Sequence, residues 1–323
     1  MEILGNIGWL IAGFVALIWG AGRLVEGASS LARRFAVSEL VIGLTVVAFG
    51  TSLPEFVVNL VASFRGHGAI LYGNIIGSNL VNLLAILGLS GLIFPLAIRH
   101  STAWREVPMS LFATLLFFLL VNDRDEPGLS RLDGALLLFG FLLFMVYVFQ
   151  AMRQGRFTGP DARSGTHAVP FIRSVVQIVL GMILLLAGGE IVVRNAVSMA
   201  TAWGMSHALI GLTIIATGTS LPELATSVVA AWKKRSDIAI GNIIGSNIFN
   251  LCFVAGSVAM VQPAPYDPAF NASLWLLAGS TLFLFLAFFI GKRYVLERWQ
   301  AGVLFAAYVI ALLYQIMKET GSF

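Results

Sequence analysis

The sequence predicts an all-α integral membrane protein with ten transmembrane helices, arranged as two inverted five-helix repeats. Three observations lead to this prediction. The 323-residue chain is 58% hydrophobic and 11% charged, its apolar segments are long, and its two halves carry the same motifs. Soluble domains average about 25% charged and about 45–50% apolar residues, so the composition excludes an ordinary soluble domain.

Ten apolar segments approach or exceed the length of about 20 residues that spans a hydrocarbon core of roughly 30 Å. We expect transmembrane helices over Asn6–Ala32, Ser38–Ser63, Ala69–Ile93, Val107–Val121, Leu132–Ala151, Phe171–Ala202, Ser206–Trp232, Ile238–Val261, Phe270–Ile290 and Trp299–Ile316. The fourth segment is the weakest, because it is short and bounded by Glu106 and Asp123. The first and sixth are longer than a bilayer requires, so we expect them to be tilted.

Basic residues alternate between successive loops. Most of them lie after the odd-numbered segments or on their flanks: Arg33, Arg34, Arg99, Arg105, Arg153, Arg156, Arg163, Arg173, Lys233, Lys234, Arg235, Lys292, Arg293 and Arg298. Because cytoplasmic loops are enriched in Lys and Arg, we expect these loops in the cytoplasm, both termini outside it, and the chain in the cell (inner) membrane. The formal net charge of +4 is then a matter of topology. It indicates no nucleic-acid partner, and no obligatory protein partner is evident.

The two halves of the chain repeat the same polar motifs at a constant offset, 223 − 55 = 168 residues. The matches are Ile42–Thr45 with Ile210–Thr213, Gly50–Glu55 with Gly218–Glu223, Gly73–Asn79 with Gly241–Asn247, and Asn82 with Asn250. We therefore assign residues 1–152 to a first repeat, 153–170 to a cytoplasmic linker and 171–323 to a second repeat. Five spans per repeat is an odd number, so the second repeat must enter the membrane from the opposite side, with a binding site near the midplane between the repeats.

A proline interrupts the second and seventh helices at equivalent positions. Pro54 cannot donate a hydrogen bond to the carbonyl of Gly50, and Pro222 frees the carbonyl of Gly218 in the same way. A free carbonyl inside a bilayer needs a partner, and hard cations prefer oxygen ligands. We therefore expect both helices to be broken at a cation site.

Side chains near the breaks supply more oxygen atoms. Thr51 and Glu55 share one helical face, as do Ser78 and Asn82 on the next span. The second half repeats this set with Thr219, Glu223, Ser246 and Asn250. Carboxylate, hydroxyl and amide oxygens without sulfur or imidazole suit calcium, sodium or magnesium rather than zinc or copper. Carboxylates inside a membrane are costly and usually functional, so we expect the two glutamates to form the centre of the site.

Two further features concern helix packing and local charge. Glycines four residues apart in the Gly-Asn-Ile-Ile-Gly motif should let neighbouring helices approach closely. Arg23 with Glu26, and Glu190 with Arg194, are expected to form local ion pairs near the helix ends. The long first and sixth helices, which contribute least to the compact core, are the expected sliding elements.

The duplicated motifs resemble the two alpha repeats of the calcium/cation antiporter superfamily, in particular the prokaryotic sodium/calcium exchangers. The resemblance covers nearly the whole chain. It implies exchange of sodium for calcium by alternating access, with these two transported ions and no cofactor. Carried over position by position, it implies ion ligands at Ala48 and Ala216, through their backbone carbonyls, and at Thr51, Ser52, Glu55, Ser78, Asn82, Thr219, Ser220, Glu223, Ser246 and Asn250.

One position departs from the family pattern. Many members have an aspartate where this chain has Asn250, so the site here carries two formal charges rather than three. Because the resemblance ties potassium co-transport to the acidic form, we expect no potassium requirement.

Three other functions are compatible with parts of the sequence. A proton/calcium exchanger of the same superfamily would use the same carboxylates, although the many hydroxyl and carbonyl ligands favour sodium. A calcium-selective channel needs a ring of carboxylates. Two carboxylates from inverted halves of one chain give an occluded site instead. An enzyme is not expected, because the serines have no histidine or lysine base beside them.

Overall fold

A computed structural model describes residues 2–65, 68–123, 127–153, 170–205, 210, 214 and 216–319. Its helices are α1 (Glu2–Arg34), α2 (Glu39–Thr51), α3 (Leu53–Phe64), α4 (68–93), α5 (Thr102–Asn122), α6 (Arg131–Arg153), α7 (Phe171–Ala202), α8 (Ala216–Gly218), α9 (Leu221–Trp232), α10 (Ser236–Val261), α11 (Pro268–Ala287) and α12 (Arg298–Glu319). Four two-residue strands complete it: β1 (Leu96–Ala97), β2 (Gly128–Leu129), β3 (Ala264–Pro265) and β4 (Val295–Leu296).

The predicted spans agree with these helices within the part of the chain that is described. Eight of the helices are long and apolar enough to cross a membrane, and a ninth span consists of α2 and α3, which meet at a bend of 43°. The seventh predicted span, Ser206–Trp232, is represented by α8 and α9. Its first part, 206–215, lies almost wholly outside the described residues, so the count of ten stays a prediction.

The α-helical part of the fourth span, Val107–Asn122, agrees with the prediction, but the span itself begins earlier. α5 begins at Thr102, and its first turns, Thr102–Glu106, are wound as a π-helix. The Glu106 side chain is fully buried and its carboxylate accepts a hydrogen bond from the Tyr147 hydroxyl, so this charge need not lie at a helix end. The other ends differ by a few residues: α1 begins at Glu2 rather than Asn6, α11 ends at Ala287 rather than Ile290, and α12 ends at Glu319 rather than Ile316.

The exposed surface of the bundle is apolar, as a lipid-facing surface must be. Trp9, Ile11 and Val15 on α1 and Ile183 on α7 are each more than half exposed. By contrast, α10 is almost wholly buried and α4 largely so. The two helices that carry the Gly-Asn-Ile-Ile-Gly-Ser-Asn motifs are therefore the centre of the bundle.

The long helices α1 and α7 pack against each other through glycines. A methyl group added to Gly20 would lie 2.9 Å from the carbonyl oxygen of Gly181, and one added to Gly188 would lie 2.9 Å from that of Gly13. Residue numbers rise along one helix as they fall along the other, so the pair is antiparallel. Small residues permit such close backbone contact between membrane helices, and the result is a paired unit of two helices.

The strand pairs show that the halves are inverted relative to each other. β1, which follows α4, pairs antiparallel with β4 from the second half, and β3, which follows α10, pairs with β2 from the first half. The helix α5 separates β1 from β2, and its 21 residues have a length of about 30 Å at 1.5 Å per residue. The two sheets thus lie at opposite ends of the bundle, which places the ends of the equivalent helices α4 and α10 at opposite faces.

Ion pairs connect the halves at the end of the bundle where β1 and β4 lie. Arg99 contacts Asp237 at 2.7 Å, and Arg235 contacts Glu39 at 2.9 Å. These belong to loops that the charge pattern predicts on one side, so their proximity agrees with the predicted alternation.

The expected local pair between Arg23 and Glu26 is wrong. Glu26 instead pairs with Lys233 at 2.7 Å, and the Arg23 guanidinium lies over the Trp19 ring. The reason is that Lys233 reaches α1 from the end of α9, where its ammonium also donates to the carbonyl of Gly22. No ion pair between Glu190 and Arg194 occurs among the described residues.

Candidate cation site

A serine stands immediately before the helix that carries each of the two prolines. Ser52 lies between α2 and α3 with φ −86° and ψ 7°, and Ser220 precedes α9 with φ −88° and ψ 7°. The next helix has its proline within the first turn, where the missing N–H costs little. At Ser52 the interruption of the helix coincides with the 43° bend between α2 and α3, and both serine side chains are buried. Ser220 has nearly the same backbone angles, but the break predicted at Pro222 stays a prediction.

The backbone at the two breaks is bonded differently. In the first half the carbonyl of Ala48 accepts the N–H of Ser52 at 3.1 Å. In the second half the N–H of Ser220 donates to the carbonyl of Thr217 at 3.2 Å, one residue after Ala216, which begins α8. The carbonyl of Ala48 is thus engaged along the helix, and a second lone pair of its oxygen remains for another donor or a cation.

Glu55 and Glu223 have no exposed surface, and each is bonded by a serine from the opposite half. The hydroxyl of Ser52 donates to Oε1 of Glu223 at 2.8 Å, and the hydroxyl of Ser220 donates to Oε1 of Glu55 at 3.3 Å. The two carboxyl groups therefore lie at the interface of the repeats, related by a reciprocal exchange of hydrogen bonds. These bonds join residues 171 and 165 positions apart, so they form only where the two halves of the chain face each other.

A second serine approaches each carboxylate from its own half. Ser78 on α4 lies 3.4 Å from Oε1 of Glu55, and Ser246 on α10 lies 3.5 Å from Oε1 of Glu223. In both groups the hydroxyls converge on Oε1. The other carboxylate oxygen, Oε2, is buried without a hydrogen-bond partner in each glutamate.

Asn82 and Asn250 lie on equivalent π-helical turns, Val81–Ile86 in α4 and Phe249–Val254 in α10. Single π-turns within α-helices often occur at functional sites. Asn82 donates its amide to Oδ1 of Asn247 at 3.1 Å, while its own Oδ1 is buried without a partner. Asn250 is fully buried with neither amide atom bonded.

The threonines differ between the halves. The hydroxyl of Thr51 donates to Oδ1 of Asn242 at 3.0 Å and lies 3.4 Å from the carbonyl of Ala48. The equivalent hydroxyl of Thr219 is buried and has no partner. Of the expected ligands, Thr51 is therefore the one whose hydroxyl is committed to a neighbouring amide.

Sequence reasoning missed the asparagines that hold these groups in position. Asn242 accepts from Thr51 and donates to Ser227 at 3.0 Å, and Asn247 links Asn82 to the carbonyl of Asn79. The signal was available, because both asparagines belong to the repeated Gly-Asn-Ile-Ile-Gly-Ser-Asn motif. Spacing alone could not separate a group facing the site from one that supports it.

Glycines bring α10 close to α2, as their spacing predicts. A methyl group on Gly241 would lie 2.8 Å from the carbonyl of Leu40, and one on Gly245 would lie 2.8 Å from Cβ of Ala48. The same contact for the first-half glycines would involve residues around 208–216, most of which lie outside the described residues.

The chemistry available at this interface is that of a hard-cation site. Two carboxylates accept hydrogen bonds from serine hydroxyls, and the described residues contain no group of three or more His, Cys, Asp or Glu side chains that could hold a metal ion. Among the expected ligands, the buried oxygen atoms without partners are Oε2 of Glu55, Oε2 of Glu223, Oδ1 of Asn82, Oδ1 of Asn250 and Oγ1 of Thr219. Leaving such an atom unbonded costs about 1–3 kcal/mol, and oxygen-preferring cations such as sodium or calcium would bind it.

The family model described as sodium/calcium exchanger protein matches residues 5–150 and 173–317, which is nearly the whole chain on both sides of the linker. The chain belongs to this family. Sodium/calcium exchangers are membrane transporters rather than catalysts of a chemical reaction.

Three similar proteins illustrate the likeness. The inner membrane protein YrbG of Escherichia coli is 38% identical over 80% of this chain and 81% of its own length. The sodium/calcium exchanger MaX1 of Methanosarcina acetivorans is 28% identical over 94% of this chain and 96% of its own length. A solved structure of the sodium-calcium exchanger NCX_Mj, soaked with sodium and strontium ions, superimposes with a TM-score of 0.82 at 32% identity, over 97% of this chain and 99% of that one.

Proposed function

We propose that this protein exchanges sodium for calcium across the inner membrane by alternating access, with both ions bound between Glu55 and Glu223. The observation that carries the proposal is the reciprocal bonding of the two buried carboxylates by Ser52 and Ser220 across the repeat interface. Membership of the exchanger family and the named activity of MaX1 and NCX_Mj support the choice of ions.

The proposed ligands are the buried oxygen atoms around these carboxylates. They comprise the backbone carbonyls of Ala48 and Ala216 and the side chains of Thr51, Ser52, Glu55, Ser78, Asn82, Thr219, Ser220, Glu223, Ser246 and Asn250. Two carboxylates balance one calcium ion, and the neutral oxygens are numerous enough to serve several sodium ions. Both ion sets need the same carboxylates, so they compete and bind in turn.

Obligatory exchange follows from the burial of charge. A site with two ionised carboxylates and no cation is expensive to enclose within a membrane, so only the loaded forms would change access. In the described structure neither glutamate has any exposed surface, which supports an occluded state between the two open ones.

The paired helices α1 and α7 are the proposed moving unit. Side chains of α7 contact the glycines at both breaks: Met182 lies against Gly50 and Val193 against Gly218. A displacement of α7 along its axis would therefore alter the packing of both broken helices together. The close backbone contacts at the glycines between α1 and α7 would let the two helices move as one body.

The deciding experiment is calcium uptake into proteoliposomes, with sodium and proton gradients imposed separately. An outward sodium gradient should drive calcium uptake, and a proton gradient alone should not. Calcium uptake driven by a proton gradient without sodium would establish the proton/calcium exchanger instead. A calcium flux that needs neither gradient and saturates poorly would indicate a channel.

The proposed orientation places the linker at 153–170 in the cytoplasm and both termini outside it. It is supported by the alternating loop charges and by the ion pairs that join Arg99 with Asp237 and Arg235 with Glu39 at one end of the bundle.

A further inference from the structure

A cavity of about 470 Å³ lies where the end of α1, the start of α7 and the turn between α9 and α10 meet. Four cationic side chains from these three elements line it: Arg33, Arg173, Lys233 and Arg235. Its volume is within the range of about 300–1,000 Å³ that is usual for ligand sites. It is separate from the cation site, since the lining includes neither of the two glutamates described above.

The positive charge of this cavity is only partly compensated. Glu26 lines it and pairs with Lys233, and Arg235 pairs with Glu39. Arg33 and Arg173 make no ion pair with any residue that the structure describes. Cations brought together without counter-charges repel each other, so an anion placed among them would be bound favourably.

A buried hydroxyl points to the chemistry of that anion. Ser29 lines the cavity, is 3% exposed, and its Oγ has no hydrogen-bond partner. A phosphate oxygen would accept this hydroxyl proton as well as the N–H groups of the guanidinium groups, which match phosphate in geometry. Arg173 also lies in the first turn of α7, and the N-terminus of a long helix favours negative charge.

The surroundings of Arg173 favour a lipid as the source of the phosphate. Its neighbours Phe171, Ile172 and Val176 are 42%, 75% and 54% exposed, and exposed apolar side chains on this outer helix face lipid. A headgroup in the cavity could therefore continue into acyl chains along α7. Basic pockets between membrane helices at the cytoplasmic side are suited to anionic headgroups.

We propose that this cavity binds the phosphate headgroup of an anionic lipid. The lipid is held by Arg33 from α1, Arg173 from α7 and the Lys233–Arg235 turn, and so it connects the paired helices to the core at their cytoplasmic ends. The inference concerns binding alone and does not depend on which ions the protein transports.

The test measures lipid adducts on the full-length protein by native mass spectrometry, with dioleoyl phosphatidylglycerol and dioleoyl phosphatidylcholine as probes. The wild type should bind phosphatidylglycerol in preference to the neutral lipid. The double variant Arg33→Gln/Arg173→Gln should bind phosphatidylglycerol at least roughly tenfold more weakly, because two charge-assisted contacts are lost. Arg33→Lys/Arg173→Lys, which keeps the charge, should recover most of the binding and shows that the site tolerates substitution.

The matched control is Lys292→Gln/Arg293→Gln, which removes the same charge from exposed residues of a loop on the same face. It should leave the affinity unchanged. An equal loss in both Gln variants, or wild-type affinity in Arg33→Gln/Arg173→Gln, would overturn the proposal. Inorganic phosphate forms the remaining arm: displacement of the lipid by an equal concentration of phosphate would show that the cavity takes free phosphate and that the lipid assignment is wrong.

Discussion

The voltage dependence of exchange follows from the number of carboxylates at the site. Glu55 and Glu223 contribute two negative charges, and the equivalent positions Asn82 and Asn250 contribute none. A bound calcium ion then leaves the site neutral, since +2 and −2 cancel. If three sodium ions replace it, the loaded site carries +1, so sodium-driven exchange is expected to move one net charge per cycle.

The size of the effect is set by one charge crossing the whole potential. Such a transfer is worth about 2.3 kcal/mol per 100 mV. Because about 1.4 kcal/mol corresponds to a factor of ten, an imposed potential of about 100 mV should change the limiting calcium gradient by a factor of about 50. An inside-negative potential should favour sodium entry with calcium exit.

The assay is radiolabelled calcium flux in proteoliposomes under a fixed sodium gradient, with the potential imposed by potassium and valinomycin. Potentials of opposite sign should change the calcium flux in opposite directions, one increasing it and the other decreasing it. Calcium flux that ignores the potential would refute the charge count. In that case either two sodium ions bind rather than three, or the counter-ion is the proton, since two protons neutralise the site as calcium does.

A matched measurement identifies which loaded form carries the charge. Calcium–calcium exchange uses the neutral form in both directions, so its rate in the wild type should be independent of voltage. In Asn250→Asp the calcium-loaded site gains one negative charge when the new carboxyl is ionised, and the same exchange should become voltage-dependent. If calcium–calcium exchange by an active, ionised variant were still independent of voltage, the charge at position 250 would not move through the membrane potential during transport.

Three further predictions follow from the site and the topology. Glu55→Gln and Glu223→Gln should each abolish calcium transport while the purified protein stays monodisperse, because one carboxylate cannot neutralise the divalent ion; wild-type rates in either variant would place the site elsewhere. Exchange should need no potassium, since Asn250 is uncharged, and a strict potassium requirement in the flux assay would contradict this interpretation. Cysteines at the exposed positions His100 and Ala269 should react from opposite sides of the membrane, with little background from the buried native Cys252; labelling from one side would rule out inverted repeats.

Much of the fold could be predicted because a membrane restricts the possible structures. Within a bilayer the backbone must satisfy its own hydrogen bonds, so each long apolar segment becomes a helix, and most boundaries agree to a few residues. Glu106 is the instructive exception. A charge near a segment end suggested a boundary. Yet Tyr147 on α6, the next helix, donates a hydrogen bond to the Glu106 carboxylate and lets it be buried, and no sequence pattern predicted this contact.

The central residues of the candidate site could also be predicted from the sequence. The offset of 168 residues pairs Glu55 with Glu223 and Ser52 with Ser220, and an odd number of spans makes the halves face each other. The supporting asparagines could not be assigned, because Asn242 and Asn247 lie in the same motif as Ser246. Only packing decides which of these side chains meets Thr51 or Asn82 and which meets a carboxylate.

By itself the sequence determined the all-helical membrane class, the duplicated motifs and the residue types of the candidate cation site, because apolar length, loop charge and the positions of proline are local properties that do not depend on the fold. Only the tertiary structure decided that Lys233 rather than Arg23 pairs with Glu26, that the serine of each half bonds the glutamate of the other, and that Arg33 and Arg173 line one cavity. These contacts join residues more than 100 positions apart, and their partners are chosen by helix packing across the repeat interface, which no local pattern records.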